Sequence, residues 1–247
     1  MMEPIRLQKF IGDCGLMSRR AAEAEISAGH VTVNGIPATL GDKIDPDTDE
    51  VALNGVPVRP RANSASPGYT YLLLNKPAGF VTTMSDQAGR KTVADLLKNV
   101  GRRVYPVGRL DLYSDGLLLC TDDGDLTNRI MHPSHHVPKR YIAAINGLLT
   151  DEDIAVLGVP FELDGYMLQP YEVALVRYVK DGGIPKTLVQ FTLYEGRNRE
   201  IRKICSHYGC KISRLTRIAI GELTIHGIAP GKWRLLTDEE IAYLKSL

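Results

Sequence analysis

The residues of this chain best suited to chemistry lie in segment 108–119, which reads Gly-Arg-Leu-Asp-Leu-Tyr-Ser-Asp-Gly-Leu-Leu-Leu. Asp111 stands between two leucines there, so its carboxylate can be held partly away from water, while the flanking glycines allow tight turns. The pattern therefore predicts a pocket acid at Asp111. Taken alone, the residue is also typical of a turn acceptor, a cap, or an ion-pair partner of Arg109.

The surrounding elements place Asp111 in a connection between two strands. The expected elements on either side are strand 71–74, a short helix over 93–100 ended by Gly101, strand 104–107 and strand 117–121. Further along, the pattern predicts helix 125–131, strand 139–145, helix 151–157, strand 187–193, a helix entered from 195–204 and closed by Gly209, strands within 213–225, and a helix from Asp238. This succession predicts an α+β domain with a mainly antiparallel mixed sheet and flanking helices.

The first sixty residues predict a separate small module. Its expected elements are helices over 5–15 and 19–28 and a strand over 31–34. Ser18 is a suitable N-cap, which places Arg19 and Arg20 in the first turn of the second helix. The helix dipole disfavours cations there by roughly 0.3 to 1 kcal/mol each. Either a bound phosphate offsets this cost or both side chains are simply solvated.

Length and composition favour two domains and exclude several classes. The chain has 247 residues and 44% hydrophobic content, enough for one large core and a small module. No apolar run approaches membrane-spanning length, and residues 1–6 lack the order of a signal peptide, so we expect a soluble, cytoplasmic protein without membrane contact. The four cysteines lack paired spacing, which predicts reduced, buried thiols rather than disulfides or a thiolate zinc site.

Charge is unevenly distributed although the net charge is only +1. Between positions 197 and 217 the chain carries seven basic residues against one acid, Glu200. A basic surface on a nearly neutral protein is typical of a polyanionic partner.

Three histidines, His132, His135 and His136, lie within five positions and resemble part of a metal site. Pro133 interrupts any helical face, and no nearby carboxylate or thiolate completes a familiar ligand spacing. We therefore expect no metal at this segment.

Four motifs together resemble the pseudouridine synthases, in particular the branch that modifies ribosomal RNA. They are Lys76-Pro-Ala-Gly, the block Gly-Arg-Leu-Asp-x-x-Ser-x-Gly-Leu-Leu from Gly108, Lys139-Arg-Tyr141, and Glu195-Gly-Arg-x-Arg-x-Ile-Arg202. The N-terminal residues, including Gly-Leu-Met-Ser-Arg-Arg-Ala-Ala-Glu, resemble the small RNA-binding module named after a small-subunit ribosomal protein, which this branch carries. The resemblance implies an RNA-binding module at 4–60, a linker at 61–68 and a catalytic domain at 69–247.

The resemblance also implies the reaction and its residues. A uridine in RNA is isomerised to pseudouridine, with Asp111 as the essential carboxylate at ribose C1′ or C2′, Tyr141 on the base side, and Arg202 as the basic partner of Asp111. An arginine suits that task because its planar guanidinium can hold a carboxylate in a charge-assisted fork. Whether Asp111 attacks the sugar or abstracts a proton stays open.

The implied substrate is ribosomal RNA or a ribosome assembly intermediate, with large-subunit RNA favoured by general resemblance. The target uridine must be flipped out of folded RNA. The residues expected to contact RNA are Arg6, Lys9, Arg19, Arg20, Arg109, Arg197, Arg199 and Lys203. The isomerisation has no redox step, so no metal or organic cofactor is implied, and nothing demands more than a monomer.

Two other functions compete with this interpretation. A non-catalytic RNA-binding or ribosome-assembly protein would keep the fold without activity, but the presence of Asp111, Tyr141 and Arg202 argues against it. A hydrolase would use Asp111 and Asp115 as a carboxylate pair, for which an RNA-binding module has no obvious use.

Overall fold

The computed structural model describes residues 3–59 and 68–247 of the chain. The chain forms two compact units, one of Met1–Tyr69 with Asp122–Gly124 and the other of Thr70–Thr121 with Asp125–Leu247. We refer to them as the N-terminal unit and the larger unit. Residues 61–67, most of the expected linker, lie outside the described residues.

Residues 3–59 of the N-terminal unit form two helices and six short strands. They are β1 (Ile5–Arg6), α1 (Leu7–Asp13), α2 (Arg19–Ser27), β2 (Val31–Val33), β3 (Ile36–Pro37), β4 (Lys43–Ile44), β5 (Val51–Leu53) and β6 (Val56–Val58). A four-stranded antiparallel sheet has the order β3-β2-β5-β6, and β1 pairs with β4. Apolar side chains of both helices and of β2, β4, β5 and β6 share one core.

Local sequence signals explain where these helices begin and end. The Ser18 hydroxyl accepts a hydrogen bond from the Ala21 amide at 3.0 Å, as an N-cap does, and Gly15 takes a left-handed conformation between the helices. The first helix is shorter than predicted. It begins at Leu7 because the two preceding residues pair with β4 instead.

The larger unit contains eleven strands and five helices among its described residues. They are β7 (Tyr71–Lys76), α3 (Val93–Leu96), β8 (Tyr105–Pro106), β9 (Ser114–Thr121), α4 (Gly124–Met131), β10 (Lys139–Asn146), α5 (Asp151–Leu157), β11 (Glu162–Leu163), β12 (Tyr166–Met167), β13 (Glu172–Asp181), β14 (Ile184–Leu193), α6 (Glu200–His207), β15 (Ile212–Ile220), β16 (Leu223–Thr224), β17 (Trp233–Leu235) and α7 (Asp238–Ser246).

Nine of these strands form one sheet, with the main order β13-β14-β10-β15-β9-β7-β17. Strands β16 and β8 extend it by pairing with β15 and β9. All pairings are antiparallel except that of β15 with β9, which aligns Leu215 with Ser114 and Arg217 with Gly116. The predicted α+β class with a mainly antiparallel mixed sheet is confirmed.

Both faces of this sheet are covered around β9, whose eight residues are all buried. Leu117 and Leu119 belong to a cluster with residues of α4 and α7, whereas Leu118 and Cys120 belong to a cluster with Val93 of α3. A third cluster joins β10 and β14 to α5 and α6. The middle strands are therefore fixed from both sides, which gives the segment before β9 a rigid support.

Several predicted boundaries were wrong. The helix expected over 93–100 stops at Leu96 and continues as a 3₁₀ turn, Lys98–Val100. Strand β9 begins at Ser114 rather than at 117, because β15 pairs with its first residues. The long strand β13 and the short β17 were not predicted.

Candidate active site

Asp111 lies in the connection between β8 and β9, as predicted. Backbone hydrogen bonds hold this loop: the Ser114 amide donates to the Asp111 carbonyl at 3.1 Å, and the Gly79 amide donates to the Leu112 carbonyl at 2.7 Å. The Asp111 side chain keeps 28% of its surface exposed, so the carboxylate faces a cleft rather than bulk water.

Lys76 fixes the same loop from the inside. Its side chain is fully buried at the end of β7, and Nζ donates to the carbonyls of Asp111 at 3.1 Å, Ser114 at 2.7 Å and Pro77 at 3.2 Å. Burial, opposed by the charges of Asp115 and Asp111, lowers the pKa of Lys76 to about 8. This cation therefore ties the loop backbone at Asp111 and at Ser114, a role that its position in the sequence did not reveal.

Two arginines approach the carboxylate from the start of α6. Arg202 Nε lies 3.7 Å from Asp111 Oδ2, and Arg199 Nη1 lies 3.8 Å from the same oxygen. The expected two-bond fork between Arg202 and Asp111 is not formed, because Arg202 Nη2 instead donates to the Tyr113 carbonyl and to Ser114 Oγ, both at 3.2 Å. The carboxylate is thus paired with two cations at ion-pair distance rather than clamped by one.

The residue before α6 has an unusual backbone. Arg199 is in the left-handed region, with φ of 54°, which is uncommon for a residue with a side chain. Glu200, the first residue of α6, is 3% exposed, and its carboxylate accepts a hydrogen bond from the Arg197 amide at 3.1 Å. Burial raises the pKa of Glu200 to about 7, in spite of that bond.

Tyr141 lies on β10 and lines the same cleft as Asp111. It aligns with Arg217 of β15, whose Nη1 lies 3.5 Å from the Tyr141 hydroxyl oxygen. Arg217 is 5% exposed, and its Nε donates to the Leu117 carbonyl at 2.7 Å. In the sequence, Arg217 is only one of the seven basic residues between positions 197 and 217. Only the register that places Arg217 opposite Tyr141 distinguishes it from the other basic residues. That register depends on strand pairing, which the sequence alone does not give.

Asp111, Tyr141, Arg199 and Arg217 line a cavity of about 610 Å³. Its walls are formed by residues 108–111, Ser114, Met131, Ser134, His136, Lys139, Tyr141, Gln169, residues 193–197, residues 199–201, Leu215 and Arg217. Burial, followed by the charge of Arg217, lowers the pKa of Lys139 to about 8. A cavity of this size can hold a nucleotide-sized group.

Asp115 and Arg202 do not line the cavity. Asp115 is buried in β9 and pairs with Arg214 Nε at 2.8 Å. The structure therefore separates Asp115 from the face where Asp111 lies, and a hydrolytic pair of these two acids gains no support. Arg202 contacts the loop from behind, through Tyr113 and Ser114.

Of the four cations expected to contact RNA in the larger unit, three line the cavity and one does not. Arg109 and Arg199 are exposed at the wall, and Arg197 is held there by Glu195 at 2.7 Å with its guanidinium 3.4 Å from the Tyr166 ring centre. Lys203 instead forms an ion pair with Asp164.

In the N-terminal unit the expected RNA contacts are largely at the surface. Lys9 pairs with Asp13 at 2.9 Å, and Arg19 lies 3.8 Å from the same acid with 47% of its side chain exposed. Arg6 donates to the Gly41 carbonyl, and Arg20 is exposed. These side chains can bind a partner if the surface ion pairs of Lys9 and Arg19 break, and such pairs contribute little to stability.

No group of three metal-ligating side chains occurs among residues 3–59 and 68–247. His132 Nδ1 lies 2.7 Å from Ser134 Oγ, and the His132 and His135 rings meet edge to face. Of the four cysteines, Cys120 and Cys205 are buried whereas Cys14 and Cys210 are half-buried, so the expectation of buried thiols was wrong for two of them. None of the helices in the described part of the chain is long and apolar enough to cross a bilayer.

The family comparison agrees with this geometry. Residues 70–207 match the RNA pseudouridylate synthase family, and residues 5–51 match the S4 domain. The chain belongs to the RNA pseudouridine synthase family and carries an N-terminal S4 domain.

Its relatives lie in the same family. An uncharacterized RNA pseudouridine synthase of Aquifex aeolicus is 39% identical over 99% of this chain and 94% of its own length. The ribosomal large subunit pseudouridine synthase B of Bacillus subtilis is 36% identical, covering 98% and 96% of the two chains. The dual-specificity RNA pseudouridine synthase RluF of Escherichia coli is also 36% identical, covering 98% of this chain and 79% of the relative.

A crystal structure of a pseudouridylate synthase has the same fold, with a TM-score of 0.67 and 26% identity over 97% of this chain and 99% of its own. The predicted family and enzyme class, an isomerase that converts uridine in RNA to pseudouridine, are therefore confirmed.

Proposed function

We propose that this protein isomerises a specific uridine of ribosomal RNA, in the large subunit, with Asp111 as the reacting carboxylate. The observation that carries the proposal is the position of Asp111, in the wall of a 610 Å³ cavity and within 3.8 Å of two arginines. The choice of ribosomal RNA rests on the similar proteins of Bacillus subtilis and Escherichia coli, the first of which is named for the large ribosomal subunit.

The geometry suits chemistry at the sugar. The reaction breaks the bond between N1 of uracil and C1′ of ribose and joins C5 to the same carbon, so the electron-poor sugar needs an anion close by. Arg199 and Arg202 lie at ion-pair distance from the Asp111 carboxylate and limit its movement. Asp111 acts either by attack on C1′ or by removing a proton from C2′.

Tyr141 serves the base in this proposal. Its ring lies in the cavity wall and can stack against uracil, and its oxygen, once its own proton has passed to water, can take up the proton that must leave C5. Arg202 supports the carboxylate from behind the loop and does not contact the substrate.

RNA is held by cations around the cavity mouth and on the N-terminal unit. Arg109, Arg197 and Arg199 would contact phosphates next to a uridine that has been flipped out of the helix, at a cost of a few kcal/mol that these contacts offset. We assign Arg6, Lys9, Arg19 and Arg20 of the N-terminal unit to other phosphates of the RNA. Lys203 would contribute only if its ion pair with Asp164 opens.

The domain division follows from this assignment. Residues 4–60 add affinity for RNA, 61–68 connect, and 69–247 perform the reaction during ribosome biogenesis in the cytoplasm. We propose a monomer as the working form.

Tritium release from deproteinised ribosomal RNA labelled at C5 of uridine tests the reaction directly. We expect release by the wild-type protein, and a loss of roughly 10⁴-fold or more in Asp111→Asn, because the amide cannot supply the negative charge. Asp181→Asn, an exposed aspartate at the end of β13, is the matched control and should keep wild-type release.

Sequencing of pseudouridines in ribosomal RNA from cells with and without the protein tests the substrate. One large-subunit site should disappear in cells that lack it. A lost site in small-subunit RNA alone would overturn the assignment to the large subunit, and turnover persisting in Asp111→Asn would overturn the role of that carboxylate.

A further inference from the structure

Arg217 is a buried cation beside the cavity to which the proposed reaction assigns no task. It is 5% exposed, lies on β15 opposite Tyr141, and forms part of the cavity wall. No carboxylate in the described part of the chain lies within ion-pair distance of its guanidinium. Burying a charge without a counter-ion costs free energy, so a buried arginine of this kind needs a reason to be there. The groups that its guanidinium contacts indicate what that reason is.

The backbone around Arg217 is held tightly. Gly116 lies opposite it in the parallel pairing with β9, where a Cβ atom at position 116 would lie only 2.2 Å from the Arg217 carbonyl oxygen. The Arg217 side chain then crosses to the Leu117 carbonyl, to which Nε donates at 2.7 Å. The guanidinium therefore has a fixed position that does not depend on substrate.

From that position the guanidinium reaches the hydroxyl of Tyr141. Nη1 lies 3.5 Å from the Tyr141 oxygen, and the guanidinium carbon is 6.0 Å from the ring centre, so the charge lies beside the hydroxyl end of the ring. Nη2 is buried and has no hydrogen-bond partner among the described residues. The charge is also felt by Lys139, whose lowered pKa has burial as its first cause and Arg217 as its second.

We propose that Arg217 is a positioning residue that holds the Tyr141 oxygen at the C5 proton and stabilises the negative charge which that oxygen carries as a base. The inference rests on the proposed function, in which Tyr141 serves the base. It adds that removal of the C5 proton depends on Arg217 of β15 as well as on Tyr141 of β10.

The step that Arg217 would support is the last one of the isomerisation. Once C5 has bonded to C1′, C5 carries both the sugar and a proton. The Tyr141 oxygen, having released its own proton to water, takes the proton from C5. The electron pair of that bond forms the C5–C6 double bond, and the pair of the C6–N1 double bond moves to N1, which takes up a proton. A nearby guanidinium favours this transfer because it stabilises the anionic oxygen.

The test compares two RNA substrates that differ in whether C5 has a proton to lose. Full-length transcripts of large- and small-subunit ribosomal RNA are prepared with uridine or with 5-fluorouridine. Single-turnover rates are measured from the rearranged nucleosides after digestion, by chromatography with mass spectrometry. On uridine, Arg217→Gln should be slower by roughly 100-fold and Arg217→Lys, which keeps the charge, by about tenfold. On 5-fluorouridine both variants should form the rearranged nucleoside within threefold of the wild-type rate.

A merely structural role of Arg217 would slow both substrates together. Equal losses on the two transcripts, or no loss on uridine, would therefore overturn the inference. Arg140→Gln is the matched control: Arg140 also donates to a backbone carbonyl, that of Gly221 at 3.2 Å, but it does not line the cavity, and it should react within twofold of wild type. If wild-type protein forms no pseudouridine on either uridine transcript, the proposed function itself fails and the inference fails with it.

Discussion

Two basic side chains of the larger unit are held in a way opposite to two of the N-terminal unit. Lys76 and Arg217 lie inside the larger unit and donate to backbone carbonyls of the segment around Asp111 and β9. In the N-terminal unit, Arg19 and Arg20 lie on the first turn of a helix and face solvent. Basic residues therefore fix backbone geometry where they are buried and present charge to a partner where they are exposed.

This difference determines what each cation contributes. A buried cation that satisfies several carbonyls acts at short range and is hardly sensitive to salt, and its loss leaves acceptors unpaired. An exposed cation acts on a distant polyanion through a field that salt screens within about 10 Å. Substitutions in the two units should therefore differ in kind as well as in size.

The largest effect is expected from Gly116→Ala, which removes the space that lets β9 approach Arg217. The added methyl group would lie 2.2 Å from the Arg217 carbonyl oxygen, and the backbone has φ of 110°. We expect a loss of about 4 kcal/mol or more in the free energy of unfolding, measured by urea denaturation. Gly183→Ala, which also has positive φ but open space around it, should cost only about 1 kcal/mol. Similar costs for the two variants would contradict the tight packing.

Lys76→Met should cost about 3 kcal/mol of unfolding free energy, because three backbone carbonyls lose a charged donor while the side-chain volume is kept. Lys98→Met, whose side chain is 72% exposed and pairs with Asp95, should change stability by less than about 0.5 kcal/mol. Both values follow from denaturant titrations. If Lys76→Met left the free energy of unfolding unchanged, the cost of burying the Lys76 charge would equal the stabilisation from its hydrogen bonds.

The Glu200→Gln variant tests whether the buried carboxyl group of Glu200 makes the free energy of unfolding depend on pH. The pKa of that group is raised from 4.5 to about 7, so the folded protein binds this proton more tightly than the unfolded chain does. The resulting stability is present below pH 4.5 and is lost as pH rises through 7. Between pH 5 and 7.5 the wild type should lose about 2 kcal/mol more than Glu200→Gln. Parallel stability curves for the two proteins would contradict the raised pKa.

The smallest effect is expected from the double variant Arg19→Ala with Arg20→Ala. Filter binding to ribosomal RNA at low salt should show about tenfold weaker affinity, near 1.4 kcal/mol, and a salt slope reduced by roughly two. Arg177→Ala, on the exposed edge strand β13, should change affinity by less than about threefold. An unchanged salt slope in the double variant would remove both arginines from the RNA contact.

Signals that act within a few residues predicted the fold well. Ser18 caps α2, and Thr150 with Asp153 forms the capping box of α5, as their spacing indicated. Strands β7, β10 and β14 follow from apolar or alternating runs. The placement of Asp111 in a strand-to-strand loop follows from those strands.

Features that depend on pairing across the sheet could not be predicted. Strand β13 was missed because its register shifts between Leu175 and Arg177, which interrupts the alternation of buried and exposed residues. The prediction of a two-bond fork between Arg202 and Asp111 was wrong, because the Tyr113 carbonyl and the Ser114 hydroxyl compete for the same guanidinium. The contact of Arg217 with Tyr141 arises from neighbouring strands 76 positions apart.

The parallel pairing of β9 with β15 also sets an order of events during synthesis. Leu117 and Arg217, which it brings together, are 100 positions apart, so the cavity cannot close until the chain has emerged beyond β15. The N-terminal unit has its own core, complete by residue 58. At about 5–20 residues per second, ribosomes need roughly 10 to 30 s to extend the chain from there to β15. A nascent chain therefore exposes a folded RNA-binding surface well before it has a catalytic pocket.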